Sequence, residues 1–305
     1  SLTLSVNFTP QQSQTFSDSI VFEHNLSSSP TVIYLTGEGI TADASNMVLV
    51  GGLNTPGQAK SLSIENQTAF LADSDNGILA INVSDPQNIF ISSELTLSEP
   101  LNSIEVLGPV GYAVAENGIF YTLNLADPTA ISLYDDLPLP GTPNDIALQG
   151  LYAYVSAGSE GLRIINIADP STPIQFSFLG LPGFASGVAV AGSYVYVACG
   201  NNGLQVVDIT NLFTPFIAAT LSLPGSANEL LKDGNRLFVS LGISGVQEVD
   251  ITNPLQPQAI RLIDTIGESV DLAQSGDTLY VAALENGIRA HNLSPANAPE
   301  FAYYR

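Results

Sequence analysis

The sequence predicts an all-β fold, a six-bladed β-propeller, on three observations. A pattern of about 42 residues recurs six times between Lys60 and the C-terminus. Each copy reads as four short β-rich runs joined by turn residues. No copy shows a convincing 3.6-residue period, so helices have no place in the unit.

Two columns set the period. A Gly between a polar and an aliphatic residue stands at Gly77, Gly118, Gly161, Gly203, Gly245 and Gly287, spaced by 41 to 43 residues. A polar residue near the end of the next strand stands at Asn82, Asn124, Asn166, Asp208, Asp250 and Asn292, always 42 apart. The fourth unit shows the elements most clearly. Gly187–Ala191 is a short apolar strand, and Ser193–Cys199 alternates and is rich in Tyr and Val. Asn202-Gly203 is a hairpin signal, because both central positions of such a turn need positive φ. Leu204–Ile209 is the third strand, Thr210–Pro215 a turn and Phe216–Leu223 the outer strand, with Pro224-Gly225 leading to the next unit. Four strands in 40–45 residues is the size of a propeller blade.

The runs LRIINI (Leu162–Ile167), LQVVDI (Leu204–Ile209) and VQEVDI (Val246–Ile251), with the Ala-Asp-Pro or Thr-Asn-Pro turns after them, resemble LVIVD-repeat propellers. The resemblance covers roughly residues 59–305. Blades 1 and 2 depart from it with GILAINV and GIFYTLNL, and blade 2 has one extra residue, read as a bulge. The resemblance implies this architecture and a secreted or cell-surface setting; it implies no activity.

An open ring would leave a strand edge bare. Met47–Gly57 resembles an outer strand with its exit turn, so residues 47–57 are expected to close the ring by joining the last blade; the rival is Phe301–Tyr304. Residues 41–305 form the propeller on this reading, and residues 1–40 a separate β segment with strands at Leu2–Phe8, Thr15–Phe22 and Thr31–Leu35. That segment is similar to the second half of an Ig-like module of the ASPM/hydin type. Three strands make a poor sandwich. The chain is therefore expected to be a piece of a longer protein, or to dock these strands elsewhere, including on another copy.

Composition restricts the partners. The formal charge is −22 with seven Lys and Arg, so nucleic acid and anionic membrane are disfavoured. No apolar run is long enough to span a bilayer as a helix. The lone Cys199 forbids an internal disulfide and reads as a small buried hydrophobe.

The catalytic inventory is thin. His24 and His291 are the only histidines, and no metal-protease, phosphate-binding or serine-hydrolase motif appears. The sialidase boxes and the Trp used by quinone enzymes are also missing. The Asn/Asp column at the turns reads as scaffold, since a short polar side chain there accepts backbone N–H groups. The expected site is one mouth of the channel. Lys60, Asn102, Asn144, Ser186, Asn228 and Glu268 at the starts of the inner strands would form a ligand-binding rim, beside the hairpin residues Asp73, Asp75, Glu116, Glu160, Asn201 and Glu285. Asp73-Ser74-Asp75-Asn76-Gly77 resembles the start of a Ca²⁺ loop with its spacing one residue short, so Asp73 and Asp75 are the candidate metal ligands and Ca²⁺ the only cofactor considered. Tyr112, Tyr152, Tyr154, Tyr194, Tyr196, Phe238 and Tyr280 are expected to pack between blades.

These features point to a non-catalytic extracellular or cell-surface module for adhesion, with a protein or polysaccharide as partner and self-association through residues 1–40. A filament or surface-layer subunit completed by strand exchange is one alternative. An enzyme, a polysaccharide lyase or hydrolase, is the other, for which a pair such as Glu229 with Asp145 would supply acid and base.

Overall fold

In the computed structural model, residues 15–20, 31–38, 51–265, 267–284, 287–293 and 300–304 are described. β1 (Thr15–Ile20), β2 (Thr31–Glu38) and β3 (Gly51–Asn54) form an antiparallel three-stranded sheet. Leu2–Phe8 lies outside the described residues.

Six four-stranded antiparallel meanders follow. Blade 1 is β4 (Ser61–Glu65), β5 (Thr68–Ala72), β6 (Ile78–Asn82) and β7 (Phe90–Leu95). Blade 2 is β8 (Leu101–Leu107), β9 (Val110–Ala115), β10 (Ile119–Asn124) and β11 (Ser132–Pro138). Blade 3 is β12 (Asp145–Gln149), β13 (Tyr152–Ser156), β14 (Leu162–Asn166) and β15 (Ile174–Leu179). Blade 4 is β16 (Val188–Ala191), β17 (Tyr194–Ala198), β18 (Leu204–Asp208) and β19 (Phe216–Leu221). Blade 5 is β20 (Leu230–Asp233), β21 (Arg236–Ser240), β22 (Val246–Asp250) and β23 (Gln258–Ile263). Blade 6 is β24 (Ser269–Ser275), β25 (Thr278–Ala283), β26 (Gly287–Asn292) and β27 (Glu300–Tyr304). The first strands of all six blades line one central channel, so the sheets close into a ring.

The fourth strand of blade 6 is Glu300–Tyr304, the rival considered above. Residues 51–54 of the expected closing segment pair with β2 instead, and Met47–Val50 lie outside the described residues. Gly51 nevertheless lies hard against blade 1, since a Cβ there would come within 2.0 Å of the Pro86 carbonyl oxygen.

Burial follows position within a blade. The two middle strands are buried on both faces because each sheet is packed between two neighbours; β17 and β18 bury four residues in a row. One core cluster joins Phe70 and Ile78 of blade 1 to Ile104 and Leu123 of blade 2, and others join blades 3 to 4 and 4 to 5. Among the expected inter-blade aromatics, Tyr112, Tyr154, Tyr196, Phe238 and Tyr280 are buried, and Tyr152 and Tyr194 are half-buried.

The run GIFYTLNL, read as bulged, pairs with β9 without a slip, whereas the outer strand of every blade carries a bulge. The register of the outer strand slips by one residue in all six, at Ser92, Tyr134, Phe176, Ala218, Ile260 and Phe301. A bulge bends an edge strand away from further pairing, which protects the one exposed edge that each blade presents outward. Blades 2 and 6 add a second slip in the inner strand, between Leu101 and Ser103 and between Ser269 and Asp271.

The turn column behaves as scaffold. Asn82, Asn124, Asn166, Asp208 and Asp250 each accept the N–H two residues on, at 2.8–3.2 Å. A second Asx turn follows at once, in which Asp85, Asp127, Asp169, Asn211 and Asn253 do the same. Four of these second residues are the Asp or Asn of the Asp-Pro and Asn-Pro turns visible in the sequence.

Candidate functional site: the central channel

The channel has a volume of about 820 Å³. Its wall is made of inner strands, each of which has one edge with no strand beside it. Backbone N–H groups on such an edge need other acceptors. Side chains from the adjacent blade supply them. Ser61 Oγ accepts Ile104 N–H at 3.1 Å, Ser63 Oγ accepts Val106 N–H at 3.2 Å, and Asp145 Oδ2 accepts Val188 N–H at 2.9 Å. Gln149 and Gly192 exchange two bonds in the same way.

The expected rim serves the same end. Asn102 donates Nδ2 to Pro143 O at 2.8 Å, Asn144 donates to Ala185 O at 2.9 Å, and Ser186 Oγ donates to Ala227 O at 3.4 Å. Each residue thus hooks the carbonyl just before its counterpart in the next blade. Lys60, Asn102 and Asn144 line the channel. Asn228 accepts a bond from Ser226 Oγ, and Glu268 is exposed. Glu268 is not the sixth member of the column. Ala185, Ala227 and Ser269 form equivalent bridges to Gly158, Gly200 and Gly242, so the residue after Ser269, Val270, takes the place held by Ser186 and Asn228. Val270 lies 42 residues beyond Asn228, as the period requires.

The charged ring is one residue deeper. Ser61, Ser103, Asp145, Glu229 and Asp271 line the channel, with Gly187 at the corresponding place in blade 4. Asp145, Glu229 and Asp271 each accept the N–H of the following residue, at 2.8, 3.1 and 2.8 Å. Asp145 also accepts Ser103 Oγ at 3.1 Å, so one carboxylate joins blades 2, 3 and 4. Glu105 sits nearby, with Ser63 Oγ 3.4 Å from its Oε2.

Burial sets the electrostatics. It raises Glu105 to about 7, with repulsion from Asp145 adding to the effect and the Ser63 bond opposing it. Burial likewise raises Asp271 to about 6, again with repulsion from Asp145. Asp145 is raised by burial against the pull of its three hydrogen bonds. Sequence reading named Asp145 and Glu229 but missed Glu105 and Asp271. The signals were present: Asp271 is three whole periods after Asp145, and Glu105 is the lone charge in a column of Ser63, Ala147, Ala189, Leu231 and Ala273.

Asp73 and Asp75 occupy different surroundings. Asp73 is buried and accepts Thr55 Oγ1 at 2.9 Å and Gly57 N–H at 2.8 Å. It therefore fastens the chain entering blade 1, at a place held elsewhere by Ala157, Cys199 and Leu241. Asp75 is exposed in the short helical turn Ser74–Asn76. Among the described residues no group of three or more His, Cys, Asp or Glu is placed to hold a metal ion. His291 is buried in blade 6, where burial and the neighbouring Arg289 and Arg261 push it down to about 4. Cys199 is buried and its thiol is pushed up to about 12.

Comparison with known proteins agrees with this architecture. The LVIVD repeat matches residues 56–96, 140–177 and 182–220, which are blades 1, 3 and 4. Blade 1 is thus matched despite its GILAINV run. No curated protein matches. Among solved structures, a protein from Desulfotomaculum acetoxidans is 10% identical with a TM-score of 0.71, over 90% of this chain and 95% of that one. The Cps50 (Swd1) β-propeller domain of Myceliophteria thermophila is 11% identical with a TM-score of 0.69, over 82% and 86%. Apo AztD of Citrobacter koseri is 17% identical with a TM-score of 0.60, over 90% and 77%. At such identities the likeness is one of fold. The chain is a six-bladed β-propeller that carries LVIVD repeats.

Proposed function

We propose that the chain is a non-catalytic interaction module that works outside the cell or at its surface, with a protein or polysaccharide as partner. One observation carries this reading. The polar groups facing the axis are engaged by the scaffold: Asp145, Glu229 and Asp271 accept backbone N–H groups, and Asn102, Asn144 and Ser186 hook neighbouring carbonyls. Fastening strands and blades together accounts for these side chains without any part in catalysis. The charge of −22 and the Lys-poor composition support a setting that demands solubility. The reading of the N-terminal strands as part of an Ig-like module of the ASPM/hydin type belongs to the same proposal.

A lyase or hydrolase is the second reading. It is favoured by the gathering of Glu105, Asp145, Glu229 and Asp271 in one channel. The test is incubation with a panel of neutral and acidic polysaccharides, read by new reducing ends and by the absorbance of unsaturated products. No turnover, with retention on at least one immobilised polysaccharide or surface protein, is the expected result. Turnover that Asp145→Asn abolishes would replace the module with an enzyme.

A further inference from the structure

The ring has two ends. The blade linkers and the hairpins after the second strands lie at one end. The turns between first and second strands and between third and fourth strands lie at the other, here called the turn face. On the turn face of blades 3 to 5, large apolar side chains stand in solvent: Phe213 is 74% exposed, Ile174 62%, Leu151 60%, Phe216 55% and Leu255 52%. Rings connect two of these blades. Phe213 of blade 4 lies 4.6 Å from Phe176 of blade 3, and Phe176 lies 5.5 Å from Tyr152.

The fold does not require these side chains. The position of Phe213 in the turn is held by Gln87 in blade 1, Thr129 in blade 2 and Ser171 in blade 3. Leu255 holds it in blade 5.

The same face is acidic beyond what its turns need. Asp85, Asp127, Asp169, Asp208 and Asp250 each accept a backbone N–H, and Asn serves equally well at the corresponding places in sister blades, as Asn82, Asn166 and Asn211 show. The negative charges are therefore surplus to turn formation. Hydrogen bonds from Thr129 and Thr252 hold Asp127 and Asp250 below the usual carboxylate range, so they stay ionised. Cations are scarce. Blades 1 to 4 hold only Lys60 and Arg163, both toward the hairpin end, where Arg163 binds the hairpin residue Glu160. Lys232 and Arg236 of blade 5 are on the turn face, and Arg236 is paired with Asp233.

From this placement we propose that the turn face of blades 3 to 5 docks a segment of a partner protein in which Lys or Arg residues flank apolar side chains. Apolar anchors within a field of the opposite sign are the arrangement that binds and orients such a segment. Charge argues against two other occupants. A second copy brings the same −22, and residues 1–50 contain Asp18, Glu23, Glu38 and Asp43 with no Lys or Arg. The inference rests on the reading of the chain as an interaction module and names the partner's chemistry.

The probe is a synthetic 14-residue amphipathic peptide of Lys and Leu, with a Glu–Leu counterpart of the same pattern. Binding to the whole chain is measured by fluorescence anisotropy at physiological salt. Two variants keep the turn chemistry found in sister blades: Phe213→Ser with Leu255→Ser, and Asp169→Asn with Asp208→Asn and Asp250→Asn. The Lys–Leu peptide should bind, the Glu–Leu peptide should not, and each variant should weaken binding by about tenfold or more while its melting temperature stays within about 5 °C of wild type. Equal binding by wild type and both variants would place the peptide elsewhere on the acidic surface and overturn the assignment. So would failure to bind at all. A concentration-dependent dimer abolished by Phe213→Ser would give the face to a second copy instead. These failures leave the interaction-module reading intact; polysaccharide turnover would defeat that reading while leaving the peptide result as measured.

Discussion

Glu105→Gln should abolish much of the loss of stability that the protein undergoes between about pH 5 and pH 8. Burial and the facing Asp145 raise this carboxyl from 4.5 to about 7 in the folded chain. A pKa unit corresponds to roughly 1.4 kcal/mol, so keeping Glu105 ionised inside the folded channel costs up to about 3 kcal/mol. The folded value lies above the unfolded one. The contribution is therefore fully present below the ordinary carboxylate range and is lost as pH rises through about 7. Asp271, raised to about 6, and Asp145, also raised, act in the same direction. Asp127, Asp233 and Asp250 are held low, so their contribution fades only in stronger acid. Wild type should thus be more stable near pH 5 than near pH 8. The Gln variant should show a slope smaller by ~2–3 kcal/mol and match or exceed wild type at the higher pH. Urea unfolding followed by circular dichroism at the two pH values measures this. Equal wild-type stability at both, or an unchanged slope in the variant, would refute the reasoning.

Four further outcomes follow from the packing. Glu248 is buried in blade 5 with Arg261 Nε at 2.6 Å and Arg236 Nη1 at 3.7 Å, so Glu248→Ala should cost about 3–5 kcal/mol. The triple change Arg236→Tyr, Glu248→Val, Arg261→Ala copies Tyr194, Val206 and Ala219 of blade 4 and should fall within about 2 kcal/mol of wild type, by urea midpoint. Asp73→Ala removes the bonds to Thr55 and Gly57; it should cost about 2 kcal/mol and speed limited proteolysis near residues 51–57. Gly203→Ala should be far costlier than Gly192→Ala in thermal melts. Both have positive φ, but a Cβ at Gly203 would meet Leu221 O at 2.3 Å, while nothing lies within 4 Å of Gly192; about 1–2 kcal/mol is expected for the latter and more than twice that for the former.

The ring was legible because its turns leave residue-type signatures. Positive φ selects Gly at Gly161, Gly203 and Gly245, and an Asx turn selects Asn or Asp at Asn166, Asp208 and Asp250. The candidate site was legible in place and not in role. Asn102 and Asn144 stood where expected, but their bonds go to carbonyls of the next blade, and a carbonyl is present at every residue, so no sequence pattern marks the acceptor. The weight of Glu105 comes from desolvation and from Asp145, which the packing of blade 2 against blade 3 brings together. Glu268 was misplaced because the linker into blade 6 was read by polarity and not by the period. The outer-strand bulges escaped notice because a bulge that occurs in every blade leaves the spacing unchanged.

The hooks between blades also bear on why the ring has six members. Asn102, Asn144 and Ser186 all reach a main-chain oxygen, a target that any blade could offer to any other. Such fastenings carry no information about order or number. The count must instead come from the wedge shape of the side chains filling the gaps between sheets. A copy of blade 4 spliced between blades 4 and 5 would find every fastening it needs; what would resist it is the angle at which the sheets pack.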